Sequence, residues 1–185
     1  MLDFNKIADE CDLFGDSKIA IDNINALNYP NEDLVLIYNY ILSVSENPDI
    51  LFEVIKLADN HRDKSTLSVL TDLLLKKIEV NEQTAKDKFI NVRSLCARAI
   101  SNYKDTSSVT SILYCMNNKN EHYKVRLACA DALGKIGDKY AVTPLIEIMQ
   151  DEEEKSVYLR ESAASALGAL GDIRAIDPLV SILET

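Results

Sequence analysis

Two stretches of this chain follow one pattern. Residues 125–146 read Val-Arg-Leu-Ala-Cys-Ala-Asp-Ala-Leu-Gly-Lys-Ile-Gly-Asp-Lys-Tyr-Ala-Val-Thr-Pro-Leu-Ile, and residues 159–180 read Leu-Arg-Glu-Ser-Ala-Ala-Ser-Ala-Leu-Gly-Ala-Leu-Gly-Asp-Ile-Arg-Ala-Ile-Asp-Pro-Leu-Val. Leu133 and Leu167, Gly134 and Gly168, Gly137 and Gly171, Asp138 and Asp172, and Pro144 and Pro178 therefore stand 34 residues apart. A period of this size, with two apolar helical stretches per unit, belongs to stacked helix pairs, each of which buries its apolar face only against its neighbours. The expected fold is all-α, an α-solenoid or superhelix of about five helix pairs forming one repeat domain over residues 1–185. Such a stack constrains architecture more than chemistry, because it offers surface to many kinds of ligand.

The best-defined unit, 125–158, sets the rules. A first helix from about Val125 to Lys135 puts Val125, Ala128, Cys129, Ala132, Leu133 and Ile136 on one face. Ala128, Ala132 and Gly134 permit close approach of a neighbouring helix, and Gly137 can take the left-handed conformation that ends the first helix. Asp138 is placed to cap the second helix, its carboxylate accepting from orphan amides and opposing the positive end of the helix dipole. Pro144 lies early in that helix, where a missing amide hydrogen does little harm. Leu145, Ile148 and Met149 supply its core face. The last unit, 159–185, follows the same rules.

The unit over 92–124 is an older copy. Val92 to Ile100 aligns with Val125 to Leu133 at an offset of 33, and Asp105 aligns with Asp138. Ser101 and Lys104 replace Gly134 and Gly137, which predicts a looser or differently angled junction. Residues 1–91 carry degenerate repeats. One helix pair is expected over about 3–28, where Phe14-Gly15-Asp16 matches Leu170-Gly171-Asp172; a second runs over Leu34 to Val44 and Pro48 to Leu57, with Asn47-Pro48-Asp49 as its turn. A third, irregular pair is expected over Leu67 to Ile78 and Glu82 to Phe89. Arg93, Arg126 and Arg160 open successive first helices, and Asp105, Asp138 and Asp172 precede successive second helices. An Asp in register with each Arg predicts a ladder of ion pairs and caps between units in preference to an arginine row for phosphate.

The run Val-Arg-x-x-Ala-x-x-Ala-Leu-Gly-x-Ile-Gly-Asp at 125–138, with its near copy at 159–172, resembles the phycobilisome-lyase type of HEAT-like repeats, specifically over about 92–185 and faintly over 1–91. The resemblance implies a solenoid of HEAT-like pairs and a range of roles: bilin lyase subunits that act in pairs to attach chromophores to phycobiliproteins, phycobilisome-degradation factors, and bacterial or archaeal scaffolds. The motif is structural, so the resemblance transfers a fold and no catalytic residue.

Charge excludes some partners. The chain carries a net charge of −10; residues 1–90 hold 9 basic and 17 acidic side chains, and 91–185 hold 11 and 13. Nucleic acid and anionic membrane would be repelled, since phosphate binding relies on a positive stripe, and the chain has no Trp for a base-stacking groove. The longest apolar stretch, Leu34 to Leu42, contains Asn39 and falls far short of the roughly 20 residues a bilayer span needs. The acidic first residues lack the order of a secretory signal, so a cytoplasmic location is expected.

Catalytic and metal sites are not expected. Cys11, Cys96, Cys115 and Cys129 form no Cys-x-x-Cys pair, and three of them fall on repeat positions that are apolar in neighbouring units, so buried core thiols are expected. His61 and His122 lie in polar inter-helix segments and read as solvated. Zinc-helix, phosphate-loop and nucleophile-elbow motifs are missing. The run Asp151-Glu152-Glu153-Glu154 reads as a solvated acidic loop, because adjacent residues diverge and no glycine turn arranges them. No cofactor is expected, except a bilin under the lyase reading.

Surface remains. On the second helices of the last three units the outward positions are Thr110, Tyr114 and Asn117, then Thr143, Glu147 and Gln150, then Asp177, Ser181 and Glu184. They predict a polar, mildly acidic concave groove suited to a protein partner with basic or hydrogen-bonding groups. Leu179, Ile182 and Leu183 lie on a face that a following repeat would cover, and no polar capping helix follows them before Thr185. Because solenoid ends need polar caps, that face is expected either to be covered by further chain or to dock onto another subunit, making a homo- or hetero-oligomer. The overall expectation is a non-enzymatic protein-binding scaffold, with a bilin lyase subunit or phycobilisome-degradation factor as the alternative.

Overall fold

A short polar side chain marks the start of five of the helices. Asp3, Asp16, Asn47, Asp63 and Ser156 each accept from a main-chain N–H of the first turn, taking amides that have no partner within the helix. The computed structural model describes residues 2–77 and 79–183, with Leu183 described by its backbone only. Ile78, at the end of an expected helix, and Glu184 lie outside the described residues, as does the Leu183 side chain.

The chain forms an α-solenoid of helix pairs: α1 (Phe4–Glu10), α2 (Ser17–Asn25), α3 (Asn31–Val44), α4 (Pro48–His61), α5 (Lys64–Leu75), α6 (Gln83–Tyr103), α7 (Val109–Asn117), α8 (Tyr123–Ile136), α9 (Val142–Gln150), α10 (Val157–Leu170) and α11 (Ile176–Leu183). No strand occurs among the described residues, and no helix there is long and apolar enough to cross a membrane. Two compact units divide the chain, Met1–Ala99 and Ile100–Thr185. In the first, α3 packs on α4 and α5, α1 on α3, and α2 on α4, over a core that includes Ile37, Ile41, Ile50, Ile55, Leu70 and Leu74. In the second, α8 lies between α7 and α10, α9 packs on α10, and α7, α9 and α11 are neighbours in series. Ile112, Met116 and Leu133 are fully buried there. Each such side chain contributes about 1.5–3 kcal/mol by leaving water.

Several expectations change in detail. The helix expected over Glu82 to Phe89 does not end; it continues through the next expected helix as the 21-residue α6. The segment Ala85-Lys86-Asp87-Lys88-Phe89-Ile90-Asn91-Val92 holds neither glycine nor proline, so nothing in it stops a helix. Asp105, Asp138 and Asp172 do act as caps, but each caps a 3-10 turn (Thr106–Ser108, Lys139–Ala141 and Ile173–Ala175) that leads into the second helix. Asp16 caps α2 as its match to Asp172 implies, whereas the left-handed residue before it is Asp12 (φ 51°) and not Gly15.

The junction expected to differ at Lys104 keeps the same turn. Gly137 and Gly171 end α8 and α10 with φ of 84° and 60°, and Lys104 adopts φ 50° at the equivalent position. A side chain there strains against the backbone, so Lys104→Gly is expected to raise stability by about 1 kcal/mol, read as a higher urea midpoint with unchanged slope.

Gly134 sets the spacing of α8 and α10. A Cβ at Gly134 would stand 2.8 Å from the Ala166 Cα and 2.9 Å from its Cβ, while one at Gly168, the same position a repeat later, would meet nothing within 4 Å. Gly134→Ala is therefore expected to destabilise, since overpacking costs about 1–3 kcal/mol and outweighs a helix-propensity gain of up to about 1 kcal/mol. Gly168→Ala is expected to stabilise by about that gain. Thermal melts of the two variants should move in opposite directions.

Candidate functional site

The expected groove residues divide cleanly from the core. Thr110, Tyr114 and Asn117 on α7, Thr143, Glu147 and Gln150 on α9, and Asp177 and Ser181 on α11 are all exposed, while Ile112, Met116, Leu145 and Ile148 on the same helices are buried. The 3.6-residue period produces this division, and the adjacency of α7, α9 and α11 turns it into a continuous surface. Tyr114, Glu147 and Ser181 hold the same register on successive helices, and Tyr114 is 67 % exposed. Glu184, the last residue expected in this row, lies outside the described residues. At the expected docking end, Leu179 is half-buried and Ile182 is exposed.

Arg126 pairs with a glutamate and not with the aspartate expected for it. Arg126 Nε donates to the Met116 carbonyl at 2.7 Å and its Nη1 to Glu154 Oε2 at 2.6 Å. Arg93 Nε likewise donates to the Leu74 carbonyl at 2.8 Å. Both carbonyls lie in the last turn of a preceding helix, where main-chain acceptors have no partner within the helix. An arginine in the following helix thus closes the end of the helix before it. Asp172 instead binds Arg174, which holds its carboxyl well below the usual carboxylate range; Arg174 also donates to the Lys139 carbonyl at 3.2 Å.

The acidic run is only partly solvated. Glu152 and Glu153 are exposed, but Asp151 binds Lys119 at 2.7 Å, and the hydrogen bond from that ammonium lowers its carboxyl below the ordinary value. Glu154 is the larger departure. Its side chain is 8 % exposed against 6 % for Arg126, and its second oxygen accepts from the Ser156 N–H. The repeat carries a trace of this pair, since Glu121 stands 28 residues after Arg93 as Glu154 does after Arg126.

Among the described residues, no group of three His, Cys, Asp or Glu side chains is placed to hold a metal ion. The four cysteines are buried, as the repeat positions of Cys96, Cys115 and Cys129 imply for those three, and burial pushes the Cys96 thiol far above its ordinary value, which removes nucleophilic thiolate. His122 is not a plain solvated residue: its Nδ1 accepts from the Lys124 N–H at 3.2 Å and so caps α8. His61 lies against the Tyr38 ring at the end of α4.

A cleft of about 800 Å³, unseen in the sequence, opens beside the first turns of α8 and α10. Tyr123, Val157 and Tyr158 give it apolar surface, and Lys119, Lys155, Glu121, Glu153 and Glu161 line it as well. Tyr158 and Val157 face solvent in the first turn of α10.

Removing one member of the buried pair tests its weight. Glu154→Ala leaves Arg126 buried without its carboxylate and is expected to lower stability by about 3–5 kcal/mol, whereas Arg126→Met with Glu154→Leu is expected to fall near the parent. Urea unfolding of the two variants measures the contrast.

Comparison with known families places the repeats. The sequence profile of the family described as HEAT repeats matches residues 78–158 and again residues 121–185. No curated protein matches the chain.

Proposed function

Because the chain belongs to the HEAT-repeat family, we propose that it is a non-enzymatic scaffold that holds a protein partner along α7, α9 and α11. The observation that carries this reading is the register of Tyr114, Glu147 and Ser181, exposed at matching positions on three neighbouring helices. An ordered row of outward side chains suits an extended segment of another protein. Tyr114 offers the aromatic anchor common in interface hot spots, and Glu147 and Asp177 favour a basic or hydrogen-bonding segment. A photo-crosslinking residue placed at 114, 147 or 181 in the source cells is expected to give adducts of one mass, and none when placed at Lys135 on the exposed side of α8. Absence of adducts from the row, or the same adducts from Lys135, would overturn the reading.

A second reading, a subunit of a bilin lyase, draws support from the cleft beside Tyr123 and Tyr158. Its volume of about 800 Å³ lies within the range of small-molecule sites, and its tyrosines could flank a flat pigment. With Arg126 and Glu154 paired, Glu121, Glu153 and Glu161 outnumber Lys119 and Lys155 in the lining and disfavour the propionates of a tetrapyrrole there, which ranks this reading below the first. A saturable visible band on adding bilin, lost in Tyr158→Ala, would reverse the order.

A further inference from the structure

The cleft beside Tyr123 and Tyr158 is open for a reason that belongs to the repeat. Lys124 is exposed at the position Tyr158 holds one unit later, and Tyr123 at that of Val157, although α10 packs along α8. First turns at this edge therefore stay in water with a neighbouring unit in place. A solvated edge has no need of large apolar side chains, yet Tyr123, Val157 and Tyr158 are 40 %, 52 % and 67 % exposed and line one space of about 800 Å³. Apolar surface gathered in this way marks a binding surface more often than a bare edge.

The charges of the lining select what enters. Two of its three cations are already matched, Arg126 by Glu154 and Lys119 by Asp151. Glu153 and Glu161 are exposed, and Lys155 stands against the two of them. Tyr158 and Glu161 are three residues apart on α10, so they are neighbours on its surface as well as in the cleft. A carboxylate beside a tyrosine ring attracts a cation twice, by its charge and through the ring quadrupole. A guanidinium meets both demands, being planar enough to stack and forked to pair with a carboxylate through two hydrogen bonds.

We propose that this cleft seats an arginine side chain of a partner protein, with its guanidinium stacked on Tyr158 and paired with Glu161. The space is larger than one side chain needs, so the residues flanking that arginine enter it as well, along Tyr123 and Glu153. The inference rests on the scaffold reading and adds to it a second contact with its own chemistry.

The probe is a fluorescently labelled pentapeptide with arginine at its second and fourth positions, titrated with the full chain at about 0.15 M salt, where attraction between distant charges is screened. Saturable binding by anisotropy is expected, weakened about tenfold by Tyr158→Ala and about threefold by Glu161→Gln. The same peptide with citrulline for arginine keeps the shape, loses the charge, and should bind at least about tenfold more weakly. Both substitutions fall on exposed positions, so the variants should melt with the parent. No saturable binding, equal binding of the citrulline peptide, or an equal loss on Asp177→Asn would overturn the proposal, the last because it would mark general attraction to an acidic chain. A bilin band lost in Tyr158→Ala would overturn it too, by giving the cleft to a tetrapyrrole. Tyr114→Ala is expected to leave peptide binding unchanged, so failure of the α7–α9–α11 row and failure of this cleft are separately visible.

Discussion

The fold of the second unit depends on how closely α8 and α10 approach, and that distance is fixed where a glycine meets an alanine. With no Cβ at Gly134, the backbone of α10 comes close enough at Ala166 that a methyl group would already overlap it. Close approach draws the flanking positions together: Ala128, Cys129, Ala132 and Leu133 on one side, and Leu159, Ala163, Ala166 and Leu167 on the other, are all buried. Ser162 Oγ then reaches Asp131 across the same junction. Small residues here serve a requirement of shape, since interiors are packed densely enough that one methyl group is felt.

Close packing also brings helix ends together, and two polar devices deal with what those ends expose. Aspartates at 105, 138 and 172 take the amides where the second helices begin. Arginines at 93 and 126 take carbonyls where earlier helices finish. Burying Arg126 creates a charge that must be matched, and Glu154 matches it. The acidic loop is thus in part a consequence of the arginine device: one of its carboxylates is required by the core, and a second fastens the loop to Lys119.

How far the sequence discloses this structure follows from what repetition can encode. Positions that recur, such as the buried faces, Gly137, Gly171 and the aspartate caps, are legible because two copies state each rule twice. Lys104 shows the limit, since the turn persists after its glycine is lost: the flanking helices over-determine it and the strain is local. The α6 continuation was hidden because apolar spacing locates faces, while helix ends depend on stop signals that residues 85–92 lack. The His122 cap and the cleft beside Tyr158 were hidden because they are single-copy features of loops and first turns, where period carries no information. The exposed row on α7, α9 and α11 was legible as a pattern, and its occupant was not, because exposure states only that the core has no use for those positions.

Repetition also separates two kinds of exposed side chain. Thr143 and Asp177 are exposed at matched positions, so their exposure belongs to the repeat and persists however many units are stacked. Ile176 and Gly168 are exposed where Val142 and Gly134 are buried, so their exposure is not a property of the repeat. Along α7, α9 and α11 the first kind is polar apart from Tyr114, which makes that tyrosine the departure in the row that solvation does not require. The second kind is apolar or small, because it is still written for a neighbour. A polar row with one aromatic side chain offers mainly hydrogen-bonding groups, whereas the other face keeps the small and apolar residues of the core. The two surfaces therefore differ in chemistry, although one sequence pattern generates both.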